Sequence, residues 1–418
     1  MMTSPGILSA ADNRILTATA AGTPMGDVLR RYWWPVAIAD DLKEQPTLIR
    51  VLGEDLVLFR DRRGRAGLIG ARCAHRRANL CLGTVALEGL RCRYHGWLYD
   101  TLGKVLDTPG VATDKAFKDA IRQPAYPVQE MGGLIFAYLG PLPVPLLPRF
   151  DFLVGPGERV VKVVGFAECN WLQLAENGVD PLHVTFAHAM TWTGVSSAPV
   201  HMSFDETEWG LIYRAGRPID KRDHYAYREQ HWLFPGVTLA SEGYGRMTSN
   251  DISQFEGKHM LLPKGARYNV PIDDTHSMII RVIWLPEGTP ARYAEPLLEE
   301  PDWRQAEVEP YLEYRKMQGT TRLGYDWPVA VSAQDATIID NMGPISDREN
   351  ENLTSSDDGI VIIRKLLRDA LAAVTNGQDP KGVVRDEARN SMIDIPAYEQ
   401  ILARAEFERI VQALEAAE

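Results

Sequence analysis

The sequence predicts an α+β protein with a small all-β domain near its N-terminus and a larger second domain, in which helices cover an antiparallel β-sheet. Three observations support this fold class. Short apolar runs separated by glycine and proline fill residues 46–155, and longer strand-like runs follow from residue 160 onward. Segments with helical periodicity lie at both ends of the chain.

Residues 1–45 are predicted to form an N-terminal helical segment that packs on the second domain. Helical periodicity starts at Asn13 and continues from Met25 to Tyr32, and we expect the helix to end at Trp33-Trp34-Pro35. Large aromatic side chains are most often buried anchors, so these tryptophans are expected to pack in the core.

The all-β domain is predicted over residues 46–155. Its strand-like runs include Ile49–Leu52, Asp55–Phe59 and Gly132–Tyr138. Prolines recur between residues 141 and 156, which is typical of a stiff connector, and we place the domain boundary there.

The second domain is predicted over residues 156–418. Its sheet is indicated by the runs Val160–Val164, Gly210–Arg214, His231–Phe234 and Ser277–Trp284. Two apolar-periodic helices, Gly359–Ala373 and Ala397–Ala416, are expected to close the chain.

Composition restricts the possible class of protein. The 418 residues are 45% apolar, which is enough for more than one core. We find no run of eighteen apolar residues and no secretory signal, and the four cysteines suggest no disulfide framework, so we expect a cytoplasmic protein. A formal net charge of −11 disfavours nucleic acid as a partner.

Two short loops each supply one cysteine and one histidine. Cys73 and His75 are followed, after sixteen intervening residues, by Cys92 and His95. Two cysteines on one iron and two histidines on the other are the ligands of a Rieske [2Fe–2S] cluster. A zinc site with two cysteines and two histidines is the alternative, although zinc fingers usually pair like ligands on each arm.

The stretch from Asn170 to His188 contains a second group of possible ligands. Asp180-Pro181 is typical of a helix start, with aspartate as N-cap and proline at the first helical position. His183 and His188 would lie about 140° apart on a regular helix, so both reach one ion only if the helix is distorted. Their spacing favours an open iron site completed by a distant carboxylate, and two core histidines are the alternative.

Together these residues resemble the oxygenase component of the Rieske non-haem iron oxygenases. The likeness covers nearly the whole chain and is greatest to the phthalate dioxygenase group, which includes vanillate-type O-demethylases. It implies a Rieske domain, a helix-grip-like catalytic domain, a [2Fe–2S] cluster and a mononuclear Fe(II). The motifs that carry it are Cys73-x-His75-Arg76-Arg77, Cys92-x-Tyr94-His95-Gly96-Trp97 and Glu176-Asn177-x-x-Asp180-Pro181-x-His183-x4-His188.

The third iron ligand follows only from this resemblance. Members similar to phthalate dioxygenase carry Q-D, seven further residues and then G-P-I before a long C-terminal helix. This chain has Gln334-Asp335 and Gly343-Pro344-Ile345, which implies Asp335 as the carboxylate ligand beside the two histidines. Asp340 is the second candidate, and a solvated or capping aspartate is a further interpretation.

The resemblance also gives Asp180 a second role. In the family the matching aspartate joins a Rieske histidine of one subunit to an iron-bound histidine of the next, here His95 and His183. Such a head-to-tail contact closes into a homotrimer. Asn177 is implied to lie near the iron, where it positions substrate or water, and a helix-surface amide is the alternative.

Basic residues on the second-domain strands are candidate substrate contacts. A buried arginine in an acidic protein would anchor a carboxylate through its bidentate fork, although a surface charge is the more common role. The family group favours aromatic acids, and the insert between Trp284 and Asp335 looks similar to demethylases of methoxylated biaryls. The candidates are Arg246, Lys264 and Arg267, followed by His259 and Arg281.

The implied function is that of a terminal oxygenase, which uses O2 to hydroxylate or O-demethylate a carboxylated or methoxylated aromatic compound. A phthalate-type cis-dihydroxylating dioxygenase is the alternative, and a Rieske electron carrier is a further one. We find no G-x-G-x-x-G fingerprint for flavin or nicotinamide, so a separate reductase or ferredoxin is expected as electron donor. Tyr94 and Ala78 replace the disulfide of high-potential Rieske proteins, which predicts a potential near the low end of the range, about −150 mV.

Overall fold

The structure, a computed structural model, describes residues 6–110, 115–188, 197–219, 223–242, 263–289 and 331–416. Arg246 and His259, two of the predicted substrate contacts, lie outside the described residues. Within these ranges the α-helices are α1 (Ala10–Thr17), α2 (Pro24–Leu29), α3 (Lys115–Ala120), α4 (Asp151–Val154), α5 (Trp171–Asn177), α6 (His183–Ala187), α7 (Val331–Asp340), α8 (Asp358–Thr375) and α9 (Arg404–Glu415).

The strands of the first part of the chain form three small antiparallel sheets. Their orders are β1-β11-β10, β2-β3-β4-β9 and β5-β6-β7-β8. The strands are β1 (Trp33–Ile38), β2 (Thr47–Val51), β3 (Glu54–Arg60), β4 (Ala66–Gly70), β5 (Thr84–Val85), β6 (Leu90–Arg91), β7 (Leu98–Tyr99), β8 (Val105–Asp107), β9 (Ala125–Tyr126), β10 (Val128–Met131) and β11 (Leu134–Tyr138).

The second part contains an eight-stranded antiparallel sheet. Seven strands follow the order β12-β18-β17-β16-β15-β14-β13, and β19 pairs with the N-terminal half of β15, beside β16. Helix α5 packs against β17, and α8 packs against β13 and β14. These strands are β12 (Gly157–Ala167), β13 (His201–Glu206), β14 (Gly210–Ile219), β15 (His224–Leu233), β16 (Val237–Ser241), β17 (Lys264–Pro271), β18 (Ser277–Pro286) and β19 (Glu399–Ala403).

The N-terminal segment differs from its prediction at one end. Helices α1 and α2 form, but the second helix ends at Leu29, and Trp33-Trp34-Pro35 belong to strand β1. Trp33 lies opposite Tyr138 in the antiparallel pairing of β1 with β11. A helix interior excludes proline, whereas a strand at the edge of a sheet tolerates it, and β1 is such an edge.

The helix predicted over residues 397–416 is wrong in its first third. Residues Glu399–Ala403 form β19, and the helix starts only at Arg404. Ile401 and Leu402 are consecutive and both fully buried, which shows that both faces of β19 are covered, and α9 packs on β19 and its partner β15. The preceding helix, predicted over Gly359–Ala373, is present as α8.

A single apolar core joins the two parts of the chain. Val51 and Leu56 of the first part lie in the same buried cluster as Trp171 of α5 and Trp232 of β15. A smaller, separate cluster, which includes Phe59, surrounds the loops that carry Cys73 and Cys92. In the part of the chain that the structure describes, none of the helices is both long and apolar enough to span a membrane.

Candidate metal centres

The four predicted cluster ligands lie on two loops with matching backbone geometry. In the first loop the N–H of Arg77 donates to the carbonyl of Cys73 at 2.9 Å, and in the second the N–H of Gly96 donates to the carbonyl of Cys92 at 3.0 Å. Arg77 and Gly96 have positive φ angles of 62° and 75°. Each loop therefore turns through one left-handed residue, which glycine adopts readily and arginine rarely.

The cysteine and histidine side chains of the predicted cluster site differ in burial. Cys73 and Cys92 are buried, whereas His75 and His95 are exposed, with ring centroids 4.7 Å apart. Trp97 stacks on the ring of His75 at 4.7 Å. The arrangement fits a Rieske cluster whose sulfur-bound iron lies inside the domain and whose imidazole edge reaches the surface.

Tyr99 is a cluster neighbour that the sequence analysis missed. Its hydroxyl oxygen lies 3.0 Å from Sγ of Cys73. Burial and the neighbouring thiol raise the pKa of Tyr99, so the hydroxyl stays protonated and can donate to a thiolate. Trp97 and Tyr99 are both buried and flank half-buried Leu98 on strand β7, but Trp-Leu-Tyr is a continuous apolar run, so the sequence does not show which side chain points inward.

The second centre is built where α5 ends and α6 begins. The side chain of Asn170 accepts a hydrogen bond from the N–H of Leu172 at 3.0 Å and so caps α5. At the other end of α5, Gln230 of β15 donates to the carbonyl of Gly178 at 2.9 Å. This contact fixes the C-terminal turn that carries Asn177.

Asp180 organises the start of α6. Its Oδ1 accepts hydrogen bonds from the N–H groups of Leu182 at 2.7 Å and His183 at 3.2 Å. Regular helix begins at His183, later than the predicted start at Asp180-Pro181, and ends at Ala187. His188 has a φ of −109°, so the distortion expected between the two histidines is the end of the helix itself.

The structure brings His183, His188 and Asp335 together as one group of possible metal ligands. Oδ1 of Asp335 lies 3.6 Å from Nε2 of His183 and 3.2 Å from Nε2 of His188. Asp340, the alternative carboxylate, stands at the far end of α7 and is not part of this group. Two imidazole nitrogens and one carboxylate oxygen fit the open iron site of a facial triad.

The two histidines differ at their other ring nitrogen. Nδ1 of His188 lies 2.6 Å from Oε1 of Gln334, a hydrogen bond that fixes the tautomer with Nε2 free for a metal. Nδ1 of His183 lies 3.6 Å from Oδ2 of Asp180, which is an ion-pair distance and too long for a hydrogen bond. The fit supports a mononuclear iron at this position.

The residues that follow helix α7 are held against α5. The side chain of Gln173 donates to the carbonyl of Gly343 at 3.0 Å, and the N–H of Asn170 donates to the carbonyl of Pro344 at 2.9 Å. These bonds give a physical reason for the spacing between Gln334-Asp335 and Gly343-Pro344, since they place Asp335 opposite the histidines.

The charges of the centre stabilise one another. Burial alone would raise the pKa of Asp335, but His188, His183 and Arg267 outweigh it and hold that pKa below its usual value. Burial would lower the pKa of His183, but Asp180 and Asp335 raise it. His183 and Asp180 remain 22% and 24% exposed, so the centre opens to the surface on that side.

Glu176 of the iron-site stretch faces away from this centre. Its carboxylate accepts hydrogen bonds from Arg348 at 2.7–3.0 Å and from Arg364 at 2.7 Å, and both guanidiniums are fully buried. Arg348 also donates to Asn13, and Arg364 to the carbonyl of Gly6. Glu176 therefore fastens α5 to α8, and its two arginine partners extend the network to the N-terminal segment.

Of the predicted substrate contacts Arg267 and Lys264, only Arg267 lies at the metal centre. Arg267 reaches the centre, where Nη1 lies 3.7 Å from Oδ2 of Asp335 and Nη2 lies 3.0 Å from Oδ1 of Asn177. Lys264 does not, since its ammonium is paired with Asp151 of α4. Three residues apart on β17, the two basic side chains point to opposite faces of the sheet.

Arg281 lies directly opposite Arg267 on the neighbouring strand β18. Opposite residues share a face of the sheet, so both arginines point to the side of the metal centre. Nη2 of Arg281 lies 2.6 Å from a carboxylate oxygen of Glu242.

Comparison with known proteins agrees with this geometry. The profile of the Rieske [2Fe-2S] domain matches residues 32–127, and that of the family described as LigXa C-terminal domain like matches residues 138–417. The chain is 35% identical over 404 residues to the 5,5′-dehydrodivanillate O-demethylase oxygenase subunit of a Sphingobium strain, across 93% of this chain and 87% of that protein. The chain belongs to the Rieske non-haem iron oxygenases.

Further relatives of this oxygenase differ in the reaction named. Phenoxybenzoate dioxygenase subunit alpha of Ectopseudomonas oleovorans is 33% identical over 394 residues, across 89% of this chain and 88% of that protein. Among solved structures, the caffeine complex of NdmA from Pseudomonas putida CBB5 superposes with a TM-score of 0.62 at 19% identity, covering 89% of this chain and 95% of that one. The structural likeness shows a shared fold.

Membership settles the class of the protein. It is an oxidoreductase, the oxygenase subunit of a multicomponent Rieske system, which takes electrons from a separate reductase or ferredoxin. Its cofactors are a [2Fe–2S] cluster and a mononuclear iron, as predicted. A pure electron carrier is not favoured, because the second family match and the group of possible iron ligands lie outside the Rieske domain.

Proposed function

We propose that this oxygenase O-demethylates or hydroxylates a methoxylated or carboxylated aromatic compound. The observation that carries the proposal is the open site formed by His183, His188 and Asp335, in a chain 35% identical to an aromatic O-demethylase subunit. Hydroxylation of a methoxy carbon gives a hemiacetal that releases formaldehyde, so one site serves both outcomes.

The ligand roles belong to this proposal. Cys73, His75, Cys92 and His95 hold the cluster, and Nε2 of His183, Nε2 of His188 and Oδ1 of Asp335 hold the iron. When bound, the two metal centres supply electrons and activate O2. The protein supplies orientation: Gln334 and Asp180 face the outer nitrogens of the two iron histidines.

Asn177 and Arg267 form the wall beside the iron histidines. Nδ2 of Asn177 lies 3.3 Å from Nε2 of His183, so its amide can donate toward a substrate or water held there. Arg281, on the same face, is a partly exposed cation paired with Glu242, so an anionic substrate that binds it at the edge of the site has to share or displace that carboxylate.

The subunits are proposed to assemble as a head-to-tail homotrimer in the cytoplasm. Two exposed features support this arrangement. His75 and His95 are exposed, and so, in part, is Asp180 beside α6, whose Phe186 is 72% exposed. A contact between them would place His95 of one subunit beside Asp180 and His183 of the next.

A substrate screen tests the proposed reaction. Purified oxygenase, an added reductase and NADH would be offered methoxylated and carboxylated aromatics, with products identified by mass. Loss of CH2 with formaldehyde release is expected, or gain of one oxygen atom. Gain of O2 with two hydrogens would instead establish cis-dihydroxylation and overturn the proposed reaction.

A further inference from the structure

Arg267 contacts two groups of the metal centre with two different nitrogens. Nη2 donates to Oδ1 of Asn177 at 3.0 Å, and Nη1 lies 3.7 Å from Oδ2 of Asp335. The guanidinium is planar and rigid, so the two contacts fix the relative positions of the amide and the carboxylate.

The contact with Asn177 decides which end of the amide faces the histidines. An arginine carries only hydrogen-bond donors, so the amide atom facing Arg267 must be the oxygen. The amide nitrogen is thereby turned toward Nε2 of His183, at 3.3 Å. Since an amide N–H group donates and cannot bind a metal, Asn177 is excluded as an iron ligand.

The contact with Asp335 separates the two carboxylate oxygens. Oδ1 faces Nε2 of both histidines, at 3.2 and 3.6 Å, whereas Oδ2 faces the guanidinium. A carboxylate held in this way presents one oxygen to an ion between the three side chains. Binding through both oxygens would require Oδ2 to leave Arg267.

We propose that Arg267 is a positioning residue, which makes Asp335 a one-oxygen ligand and Asn177 a hydrogen-bond donor toward the site. The inference rests on the iron ligands proposed above. It replaces the role of substrate anchor predicted for Arg267, because both of its terminal nitrogens are already engaged within the protein. Held in this way, neither the amide of Asn177 nor Oδ2 of Asp335 would occupy a coordination position of an iron bound by the three ligand residues.

The test compares Arg267→Lys with Arg267→Met. Lysine keeps the positive charge but lacks the forked pair of guanidinium nitrogens. A positioning role therefore predicts that Arg267→Lys fails like Arg267→Met, whereas a role of the charge alone predicts that Arg267→Lys behaves like the unmodified protein. We expect both variants to bind Fe(II) about 10–100-fold more weakly, as measured by chelator competition under argon. In the Co(II)-substituted protein, both should change the visible absorption bands, since Asp335 is then free to bind through both oxygens.

Arg214→Lys is the matched control. Arg214 lies on β14 of the same sheet, is 16% exposed against 21% for Arg267, and also pairs with a carboxylate, that of Glu229. The control should leave Fe(II) affinity and the Co(II) spectrum unchanged. If Arg267→Lys also retains the affinity and spectrum of the unmodified protein, charge alone suffices and the positioning role is rejected.

Asn177→Asp gives an independent test should the Arg267 variants fold poorly. If Arg267 holds one carboxylate oxygen of the new aspartate, the other faces the ion and becomes a fourth protein ligand. Fe(II) affinity should rise at least about tenfold, because an anionic ligand has been added. Unchanged affinity would overturn the inference. An unmodified protein that binds no iron would instead contradict the proposed ligands.

Discussion

The Nδ1 atom of His188 lies 2.6 Å from Oε1 of Gln334, the residue immediately before Asp335. A neutral imidazole with its proton on Nδ1 donates to this amide oxygen and leaves the Nε2 lone pair for a metal. Adjacent residues of α7 thus serve the centre in different ways, since Asp335 offers an oxygen and Gln334 orients a histidine.

Replacing Gln334 should therefore weaken the iron site without touching a ligand. Gln334→Leu removes the acceptor for Nδ1 of His188 and should lower Fe(II) affinity about 10–100-fold. Gln334→Glu keeps an acceptor oxygen and should retain most of the affinity. Iron content after dialysis against a chelator provides the measurement, and equal retention in both variants would contradict this role.

Asp180→Asn should leave both metal centres assembled but slow the electron transfer between them. Asparagine is as good an N-cap as aspartate, so α6 should still form. Cluster and iron content should be normal while turnover falls about 10–100-fold, because the charge facing His183 is lost. Stopped-flow reoxidation of the reduced cluster locates the defect, and normal turnover would remove Asp180 from the electron path.

Mixed oligomers should reveal whether electrons cross between subunits. Cys92→Ser removes a proposed cluster ligand and Asp335→Ala a proposed iron ligand, so each variant alone should be inactive. Co-expressed with different tags, they should recover about one quarter of normal activity, since a quarter of head-to-tail contacts join an intact cluster to an intact iron. Transfer within one chain predicts no recovery.

Tyr99→Phe should lower the reduction potential of the cluster. A hydrogen bond to Sγ of Cys73 stabilises the reduced, more negative cluster more than the oxidised one. A difference of about 1 kcal/mol between the two states corresponds to about 40 mV in a one-electron couple. Redox titration followed by visible spectroscopy measures the shift. An unchanged potential would show that the hydroxyl does not donate to the ligand sulfur.

Glu176→Gln should cost stability in a pH-dependent way. Burial raises the pKa of Glu176, but Arg348 and Arg364 outweigh it and hold it below its usual value. The stabilisation is therefore complete above the ordinary glutamate pKa of about 4.3 and is lost as the pH falls through the lower folded value.

At neutral pH the variant should lose about 3–5 kcal/mol of unfolding free energy, because two buried guanidiniums lose their anion. Urea denaturation at pH 7 and at several pH values below about 4.3 measures the difference, which should shrink progressively as the pH falls toward the lower folded pKa. Glu206→Gln, in an exposed pair with Lys365, is the control and should cost less than about 1 kcal/mol. An equal loss at all of these pH values would argue against ionisation of Glu176 as the cause.

Sequence reasoning reaches furthest where the chemistry depends on local spacing. The pairs Cys73/His75 and Cys92/His95 each lie on one loop, and the loop geometry follows from a few neighbouring residues. Asp335 joins the iron histidines from nearly 150 residues away, and only the resemblance to a known family singled it out.

Long-range partners were beyond prediction. Nothing near Glu176 indicates that Arg348 and Arg364, 172 and 188 residues later, surround its carboxylate. Strand β19 was missed because five residues are too few to establish a period. Lys264 is an avoidable error, since its odd separation from Arg267 on one strand already excludes a shared face.

The apolar core shared by the two parts of the chain limits how this enzyme can be rebuilt. Val51 and Leu56 are buried together with Trp171 and Trp232 of the second part. The Rieske part alone would therefore expose Val51 and Leu56 to water. Replacing the Rieske part by that of a relative would require that its apolar surface match the surface of the second part at this shared core. Substitutions at the rim of the iron site, by contrast, leave this shared core intact.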